Sequence, residues 1–522
     1  MGGNTNKDSL WWRTRTAPPQ PALAGDLAVD AVVVGAGITG LTTAFLLARA
    51  GRRVAVLEAD RIGAGTTGGT SAHVTQVLDH RYKDLASKFG EDGARQVATS
   101  TATALEQIAS LVFEEGIDCD FVRVPGYLYA ESADDAGQID DELEAARRAG
   151  VPVERASNLP LPFPVAAAVR FPHQARFHPT AYLAGLAAAL QKRGGRIFEG
   201  TRVLGTEGAD SDGRCRVETA QGTVTAGAVV LATHTPAGFN LLQTAIEPMR
   251  SYVLAARLAG GRQVPDGLFW DTADPYHYTR RQPDPSVSGS DWLVVGGADH
   301  PTGREEETER CYQDLERYVR ERWPVAAIEH RWSSQFYEPV DGLPFIGESP
   351  LGHNVLVATG YSGTGLVLAT VAAMLLADAV AGRKNPWADL YRTTRVKPLA
   401  GGPKFVSLNV GVARHFVGDR LAAPKLGDLS QVAAGEGGVF EVDGDKVAVS
   451  RSRTGEVRAV SAVCTHAGCL VHWNTAEQTW DCPCHGGRFT PRGEVLEGPP
   501  VKALKAVDVS KLAVATGAER RS

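Results

Sequence analysis

The hydrophobic and polar positions of the chain change period along its length. Residues 28–34 form a short Val-rich run that reads as a buried parallel strand. Leu41 to Ala50 continue with helical spacing, Gly51 stops them, and Arg53 to Leu57 give a second strand. Tyr276-His277-Tyr278-Thr279-Arg280-Arg281 alternates as a strand does, with Tyr276, Tyr278 and Arg280 on one face and His277 and Arg281 on the other. The longest apolar run, Val355 to Ala381, is interrupted by Gly360, Ser362, Gly363, Thr364, Gly365 and Asp378. It suits an internal strand, loop and helix better than a membrane span. Phe405, Leu408, Val412, Phe416 and Leu421 fall near helical spacing and predict a linker helix that docks one domain on another. From about Gly427 the pattern turns to short strands at 438–442, 446–450 and 457–463, with 501–509 closing a small β domain. Residues 1–27 are polar and Pro-containing, which predicts a loosely attached arm pinned by Trp11 and Trp12. Asp134 to Arg148 and Arg304 to Arg310 read as solvated, charged helix faces.

At 522 residues the chain has room for about three domains with large cores. A net charge of -6 without a basic stripe argues against nucleic acid as a partner. The first 21 residues lack an apolar signal core and a twin-arginine pair, so the expected location is cytoplasmic. Of seven cysteines, Cys119, Cys215 and Cys311 are scattered and expected to be partly buried thiols. The other four are grouped, which changes the picture.

The first strand runs into Gly35-Ala36-Gly37-Ile38-Thr39-Gly40, and the second ends in Glu58. Strand, G-x-G-x-x-G, helix, strand and acidic residue together form a dinucleotide fingerprint. The glycines admit a pyrophosphate at the helix N-terminus, and Glu58 accepts the ribose hydroxyls. Cys464-x-His466 is followed, after fifteen intervening residues, by Cys482-x-x-His485, each half in a Gly/Pro-containing loop. Two thiolates and two imidazoles are the ligand set of a Rieske 2Fe-2S centre. A structural zinc takes the same count, although zinc sites usually pair their cysteines in one knuckle and their histidines in another.

Cys464-Thr465-His466-Ala467-Gly468-Cys469 and Cys482-Pro483-Cys484-His485-Gly486-Gly487-Arg488-Phe489 resemble the Rieske proteins, in particular the disulfide-bearing kind of respiratory and photosynthetic cytochrome complexes. The resemblance implies one 2Fe-2S cluster, with Cys464 and Cys482 on the buried iron and His466 and His485 on the outer iron. It also implies a Cys469–Cys484 disulfide, with two free thiols as the alternative where reductants are present. Those relatives carry Ser and Tyr where this chain has Gly487 and Phe489, so hydrogen bonds toward sulfur are lost and a lower midpoint is expected.

The second Gly/Thr-rich loop, residues 61–73, resembles the glycine-oxidase and D-amino-acid-oxidase-like flavoproteins. His178-Pro179-Thr180 opening a helix over 181–194, then 196–203, 228–234, 337–347 and 355–366, resemble later units of that family. The resemblance covers roughly 28–394 and implies bound FAD, held by Gly35, Gly37, Gly40, Glu58, Gly65, Thr66, Thr67, Val203, Gly360, Gly363, Thr364 and Gly365. It implies an α/β fold: a Rossmann-type FAD-binding domain with an interleaved α+β substrate domain from approximately 85–150 and 240–330, followed by a small all-β Rieske domain. The expected divisions are an arm at 1–27, the FAD domain at 28–394, a linker with helix at 395–425 and the Rieske domain at 426–516. The helix N-terminus after Gly363 is expected to face the flavin pyrimidine edge and favour an anionic reduced flavin. His73 and His234 lie in flavin-proximal loops, as hydrogen-bonding histidines or, as in some relatives, a covalent attachment point.

The expected activity is hydride transfer from a small amine or amino acid to flavin, with electrons passed singly through the cluster to a one-electron acceptor protein or a quinone. The alternative is an electron-transfer flavo-iron-sulfur protein or reductase without an organic substrate. Arg280, Tyr278 and His300 are the substrate-side candidates, with Tyr337 behind them, and Arg280 is expected to hold a carboxylate. A solvated edge strand with surface arginines explains the same pattern.

Overall fold

In the computed structural model, which describes residues 8–510 and 512 apart from 288, 351, 396–397 and 427–428, the Val-rich run becomes the strand Leu27–Val34. Parallel partners flank it on both sides: Val34 pairs with Leu231 of the strand Gly222–Leu231 and with Leu57 of the strand Val54–Leu57. A central parallel strand has no solvent face, hence its lack of polar alternation. The sheet continues to Arg196–Phe198 on one side and to Val355–Thr359 and Phe345–Glu348 on the other. The helix Ile38–Arg49 starts directly after the first strand. A Cβ at Gly40 would lie 1.9 Å from the Gly35 carbonyl oxygen, so only glycine lets helix and strand end approach this closely.

The run 355–381 divides into the strand Val355–Thr359, a turn and the buried helix Gly365–Val380. That helix packs against Ile38–Arg49 and the long helix Tyr82–Glu114, which accounts for its all-round apolar surface. Among the described residues no helix is long and apolar enough to cross a membrane.

A second sheet of nine strands forms the interleaved layer, in the order Val325–Pro339, Ile246–Leu258, Asp291–Pro301, Tyr278–Pro283, Leu268–Asp271, Val122–Ala130, Ala167–Arg176 and His73–Val74, with Glu154–Arg155 paired to Ala167–Arg176. His73–Val74, Glu154–Arg155, Ala167–Arg176 and the greater part of Val325–Pro339 join it from outside the two expected segments.

The arm is not loosely attached from residue 8 onward, and 1–7 lie outside the described residues. Trp11 is fully buried, its Nε1 donates to the Thr70 carbonyl at 2.6 Å, and Trp12 Nε1 donates to Gly63 at 3.2 Å. The arm thus braces the second Gly/Thr loop. The linker helix spans Pro398–Ala422, preceded by Val396 and Lys397 outside the described residues. Leu408 is buried and Val412 packs on the core of the C-terminal domain, but Phe405, Phe416 and Leu421 face solvent, so only part of the predicted stripe docks.

The C-terminal domain contains the antiparallel strands Gly437–Val442, Asp445–Arg451 and Val457–Ser461, then a four-stranded sheet of His472–Asn474, Thr479–Asp481, Arg488–Phe489 and Val495–Glu497. The expected closing strand at 501–509 is absent there; that segment makes a single bridge, Val460 to Ala506. Of the tail expected to end this domain, 511 and 513–516 lie outside the described residues, as does Gly427 at its start.

Candidate functional site

A cavity of about 590 Å³ opens where the C-terminal ends of the parallel strands meet the second sheet. Gly35, Gly37, Glu58, Gly65, Thr66, Thr67 and Val203 line one stretch, and Gly363, Thr364 and Gly365 another. Gly40 and Gly360 are not part of the lining: the first packs helix on strand, the second turns the chain out of Val355–Thr359. Thr67 Oγ1 accepts from the Ile38 N–H at 3.2 Å, joining the two glycine-rich loops around the helix N-terminus. The Glu58 oxygens accept from the Ala36 and Asp60 N–H groups at 2.8 and 2.9 Å, which leaves lone pairs for ribose hydroxyls. Burial raises the Glu58 pKa, opposed by those two N–H groups. Size, glycine-lined helix N-terminus and acidic strand end all fit the expected dinucleotide.

His234 Nδ1 lies 3.0 Å from Thr66 Oγ1, and burial lowers its pKa to about 4. His73 Nε2 lies 3.3 Å from the Thr279 carbonyl oxygen, and burial, then the charge of Arg280, lowers its pKa to about 3. Both are neutral near pH 7.

The substrate-side candidates separate. Tyr278 lines the cavity, its hydroxyl 2.9 Å from Ser251 Oγ. Arg280 does not. It is fully buried beneath the strand, donating to the carbonyls of Ser71, Phe177 and Arg281 and to Gln282 Oε1, with its guanidinium 5.0 Å from the Trp11 ring. Its donors are consumed by backbone, so the carboxylate clamp is corrected to a structural arginine. His300 is also outside the lining; its Nε2 meets the Tyr252 hydroxyl at 3.0 Å, and its ring stacks on that tyrosine. Its neighbour Asp299 takes the cavity side, because successive strand residues point to opposite faces.

Sequence reasoning passed over Asp79, Asp299 and Glu142. Asp79 follows the second glycine loop with no motif of its own. It accepts from Gly363 N–H, from the Tyr276 hydroxyl at 3.1 Å and from Thr364 Oγ1 at 3.2 Å. Glu142 sits on the helix Ala136–Arg148, read as solvated, yet its side chain is buried and accepts from the Tyr82 and Lys83 N–H groups at 3.0 and 3.3 Å.

In the C-terminal domain the two Cys/His loops repeat one backbone pattern. Cys464 N–H donates to the Cys469 carbonyl and Gly468 N–H to Cys464; Cys482 N–H donates to Gly487 and Gly486 N–H to Cys482. Cys464 and Cys482 are buried with their sulfurs in hydrogen-bond reach, and the rings of His466 and His485 lie 4.9 Å apart. Cys469 and Cys484 are joined by a disulfide. Cys482 also lies near these two sulfurs, but their mutual bond leaves it alone as a thiolate ligand there. Gln243 Oε1 already accepts from the Asn240 N–H and lies 3.0 Å from His466 Nε2, so Nε2 donates and Nδ1 stays free for metal. His485 Nδ1 is buried with no hydrogen-bond partner among the described residues. Two buried thiols within hydrogen-bond reach of each other and two histidine rings 4.9 Å apart fit a 2Fe-2S cluster with mixed ligands.

The two sites share a wall. Leu496, Glu497, Gly498, Pro500 and Val501 of the C-terminal domain line the cavity beside Tyr337 and Gln335. The Tyr337 hydroxyl donates toward the His485 and Gly498 carbonyls, each at 3.4 Å, and Gln335 Nε2 donates to Gly486 at 2.9 Å. The His234 ring lies 4.8 Å from the Tyr337 ring. Docking is fixed by charge: buried Arg250 of the second sheet pairs with Glu477, which also pairs with Arg488, itself bonded to Asp481 and Glu497. His472 adds a contact, its Nδ1 2.7 Å from the Gly303 carbonyl and its Nε2 3.0 Å from Asp419 of the linker helix.

Comparison with known proteins agrees with this geometry. Residues 30–379 match the model of the DAO family, FAD dependent oxidoreductase, and residues 423–508 match the Rieske [2Fe-2S] domain. The Rieske 2Fe-2S iron-sulfur protein YhfW of Bacillus subtilis (strain 168) is 34% identical over 504 residues, covering 96% of this chain and 97% of that protein. Gamma-glutamylputrescine oxidoreductase of Escherichia coli (strain K12) is 25% identical over 431 residues, 77% of this chain and 96% of that one. Glycine oxidase from Geobacillus kaustophilus shares the fold, with a TM-score of 0.59 at 21% identity over 71% of this chain and all of that one. The chain belongs to the DAO family of FAD-dependent oxidoreductases and carries, after its flavin domain, a Rieske [2Fe-2S] domain.

Proposed function

We propose that this oxidoreductase dehydrogenates an amine or amino acid and sends the electrons singly through its Rieske cluster to an outside one-electron acceptor, a protein or a quinone. The observation that carries this reading is the shared wall: Tyr337 lines the cavity, and its hydroxyl donates toward the His485 carbonyl. A two-electron carrier and a one-electron carrier set this close suit stepwise discharge. The relationship to gamma-glutamylputrescine oxidoreductase supports an amine as substrate.

In this reading Gly35, Gly37, Glu58, Gly65, Thr66, Thr67 and Val203 would hold the FAD along one stretch of the cavity, and Gly363, Thr364 and Gly365 along the other. Gly40 and Gly360 act by shaping the backbone. Cys464, His466, Cys482 and His485 hold the cluster. Bound FAD supplies a hydride acceptor, and the cluster supplies a one-electron outlet. Neutral His73 and His234 keep positive charge from the cavity floor, and Tyr278 with Ser251 borders the substrate. The functional divisions are 1–27, 28–394, 395–425 and 426–516.

The test is anaerobic mixing of the holoenzyme with a panel of amines and amino acids, following flavin absorbance and the EPR signal of the reduced cluster. Flavin bleaching followed by a Rieske signal is expected. Bleaching with the cluster oxidised throughout turnover overturns the outlet. Silence across the panel, with both cofactors reducible by dithionite, overturns the dehydrogenase.

A further inference from the structure

We propose that the substrate is a dicationic amine, a diamine or longer polyamine without a carboxylate, recognised by Asp79 and Asp299. The proposal rests on the amine-oxidising reading above and narrows its substrate class.

Charge in the cavity is divided by position. The end beside Glu58 also holds Arg202, which donates to the Val495 carbonyl at 3.2 Å. The end beside Gly363 holds Asp79 on one wall and Asp299, from the strand Asp291–Pro301, on another. Among the described lining residues the other arginine is Arg81, which donates from NH1 to Gln138 Oε1 at 2.7 Å and whose charge acts on the lining carboxylate Glu142. Arg280, the residue whose pattern suggested a carboxylate clamp, is spent on backbone carbonyls away from the cavity. A zwitterionic amino acid would therefore bring its carboxylate to a wall of like charge, a repulsive arrangement.

The carboxylates also have unmet capacity. Asp299 Oδ1 is inaccessible and has no hydrogen-bond partner among the described residues. A buried acceptor left unpaired costs free energy, and rotation of the carboxyl turns that oxygen to the cavity, where an ammonium donor satisfies it with a charge-assisted bond. Tyr276 and Tyr278 stand beside the two acids with ring centres 5.7 Å apart, and their faces offer cation–π contact to the intervening chain and its charges. Burial pushes the Asp79 pKa up to about 6 and that of Asp299 up to about 7, each raised further by nearby carboxylates. A bound dication relieves that repulsion.

The test uses the oxidised holoenzyme and a dication that keeps its N–H donors but has no hydrogen on the amine-bearing carbons and so cannot form an imine, protonated 2,5-dimethylhexane-2,5-diamine, titrated by calorimetry and by perturbation of the flavin spectrum. Protonated tert-butylamine and acetate are the comparisons. The dication is expected to bind at least about tenfold tighter than either, and Asp299→Asn to weaken it at least about tenfold. In the anaerobic panel, 1,4-diaminobutane is expected to bleach the flavin with a higher kcat/KM than glycine or alanine. Equal or tighter binding of acetate, or preferential bleaching by amino acids, overturns the proposal while leaving the dehydrogenase intact. A panel silent to every amine and amino acid overturns the dehydrogenase instead, and the wild-type titration still decides whether the cavity selects dications. It needs no variant to fold.

Discussion

Arg250 NH2 and Glu477 Oε1 meet at 2.5 Å across the junction of the two domains, with both side chains almost completely shielded from solvent. Glu477 also receives Arg488 at 2.5 Å, so one carboxylate bridges a guanidinium on each side, with Asp481 and Glu497 supplying the remaining negative charge. Removing one partner of such a pair leaves a buried charge uncompensated, at a cost of about 3–5 kcal/mol. Glu477→Gln is therefore expected to loosen the C-terminal domain from the flavin domain. The variant should lose its cluster absorbance at a lower temperature than its flavin fluorescence rises, where the wild type shows the two together. Melting indistinguishable from wild type by both signals would count against the pair as the docking element.

The electron route proposed above passes the close approach at Gly486. Its φ is +74°, and a Cβ there would lie 2.6 Å from Pro248 and 3.0 Å from the Tyr337 hydroxyl. Gly486→Ala must both strain the loop and push the His485 segment off the cavity wall. Stopped-flow mixing with a reducing amine is expected to show normal flavin bleaching and cluster reduction slowed severalfold. Tyr337→Phe, which keeps the ring and loses only the hydroxyl, should have a smaller effect. Unchanged cluster reduction in Gly486→Ala would remove this route.

Much of this was legible in the sequence because it is local. The G-x-G-x-x-G turn and the paired Cys/His loops carry their ligands within a few residues, so spacing reveals them. Asp79 and Asp299 join the same cavity from a loop and a strand far apart in the chain, and neither has a signature. Arg280 misled because alternation rightly puts it on the face of Tyr278, which lines the cavity, but does not say how far along the strand the cavity reaches: two residues on, the side chain meets Trp11 and the Ser71 and Phe177 carbonyls. Glu142 misled because a charged helix reads as solvated unless its partner, here the first turn of Tyr82–Glu114, is known.

Glu142 gives a pH dependence of stability with a definite sign. Burial raises its pKa from 4.5 to about 7, opposed by the Tyr82 and Lys83 N–H groups. A carboxyl whose folded pKa lies above its unfolded one stabilises most below the unfolded value and loses that contribution as pH rises through the folded value. The melting temperature is thus expected to fall between about pH 5 and 8 more steeply in the wild type than in Glu142→Gln. Asp79 and Asp299 act in the same direction, so the difference between the two proteins is the quantity to read. Identical slopes would show that Glu142 does not titrate in this window.

The Cys469–Cys484 disulfide closes a loop with a sequence separation of 15 and ties the two ligand loops together. Closing a loop of that size restricts the unfolded chain by about 3 kcal/mol in the chain-entropy description. Cys469→Ser with Cys484→Ser is expected to lower the melting temperature of the C-terminal domain and to speed iron release to a chelator, with the flavin site unaffected. Equal iron-release rates would mean that the hydrogen bonds of the two loops hold the cluster without the bridge.

Phe489 is fully buried and belongs to the same apolar cluster as Cys464 and Cys482. A phenyl ring there excludes water without donating a hydrogen bond, and Gly487 has no hydroxyl either. Hydrogen bonds to cluster or ligand sulfur stabilise the reduced state, whose negative charge is larger, so their loss lowers the midpoint. The histidine ligands still hold the potential above that of plant-type ferredoxins, at about -400 mV. The wild-type cluster is therefore expected between that value and the upper Rieske limit of about +300 mV, well short of the latter. Phe489→Tyr adds a donor at nearly constant volume and should raise the midpoint by tens of millivolts in redox-titrated EPR. Gly487→Ser is the poorer test, because a Cβ there would lie 2.8 Å from the Pro500 ring and must displace it. A wild-type midpoint near the upper limit would overturn this account, since the cluster would then draw its stabilisation from donors other than these two positions.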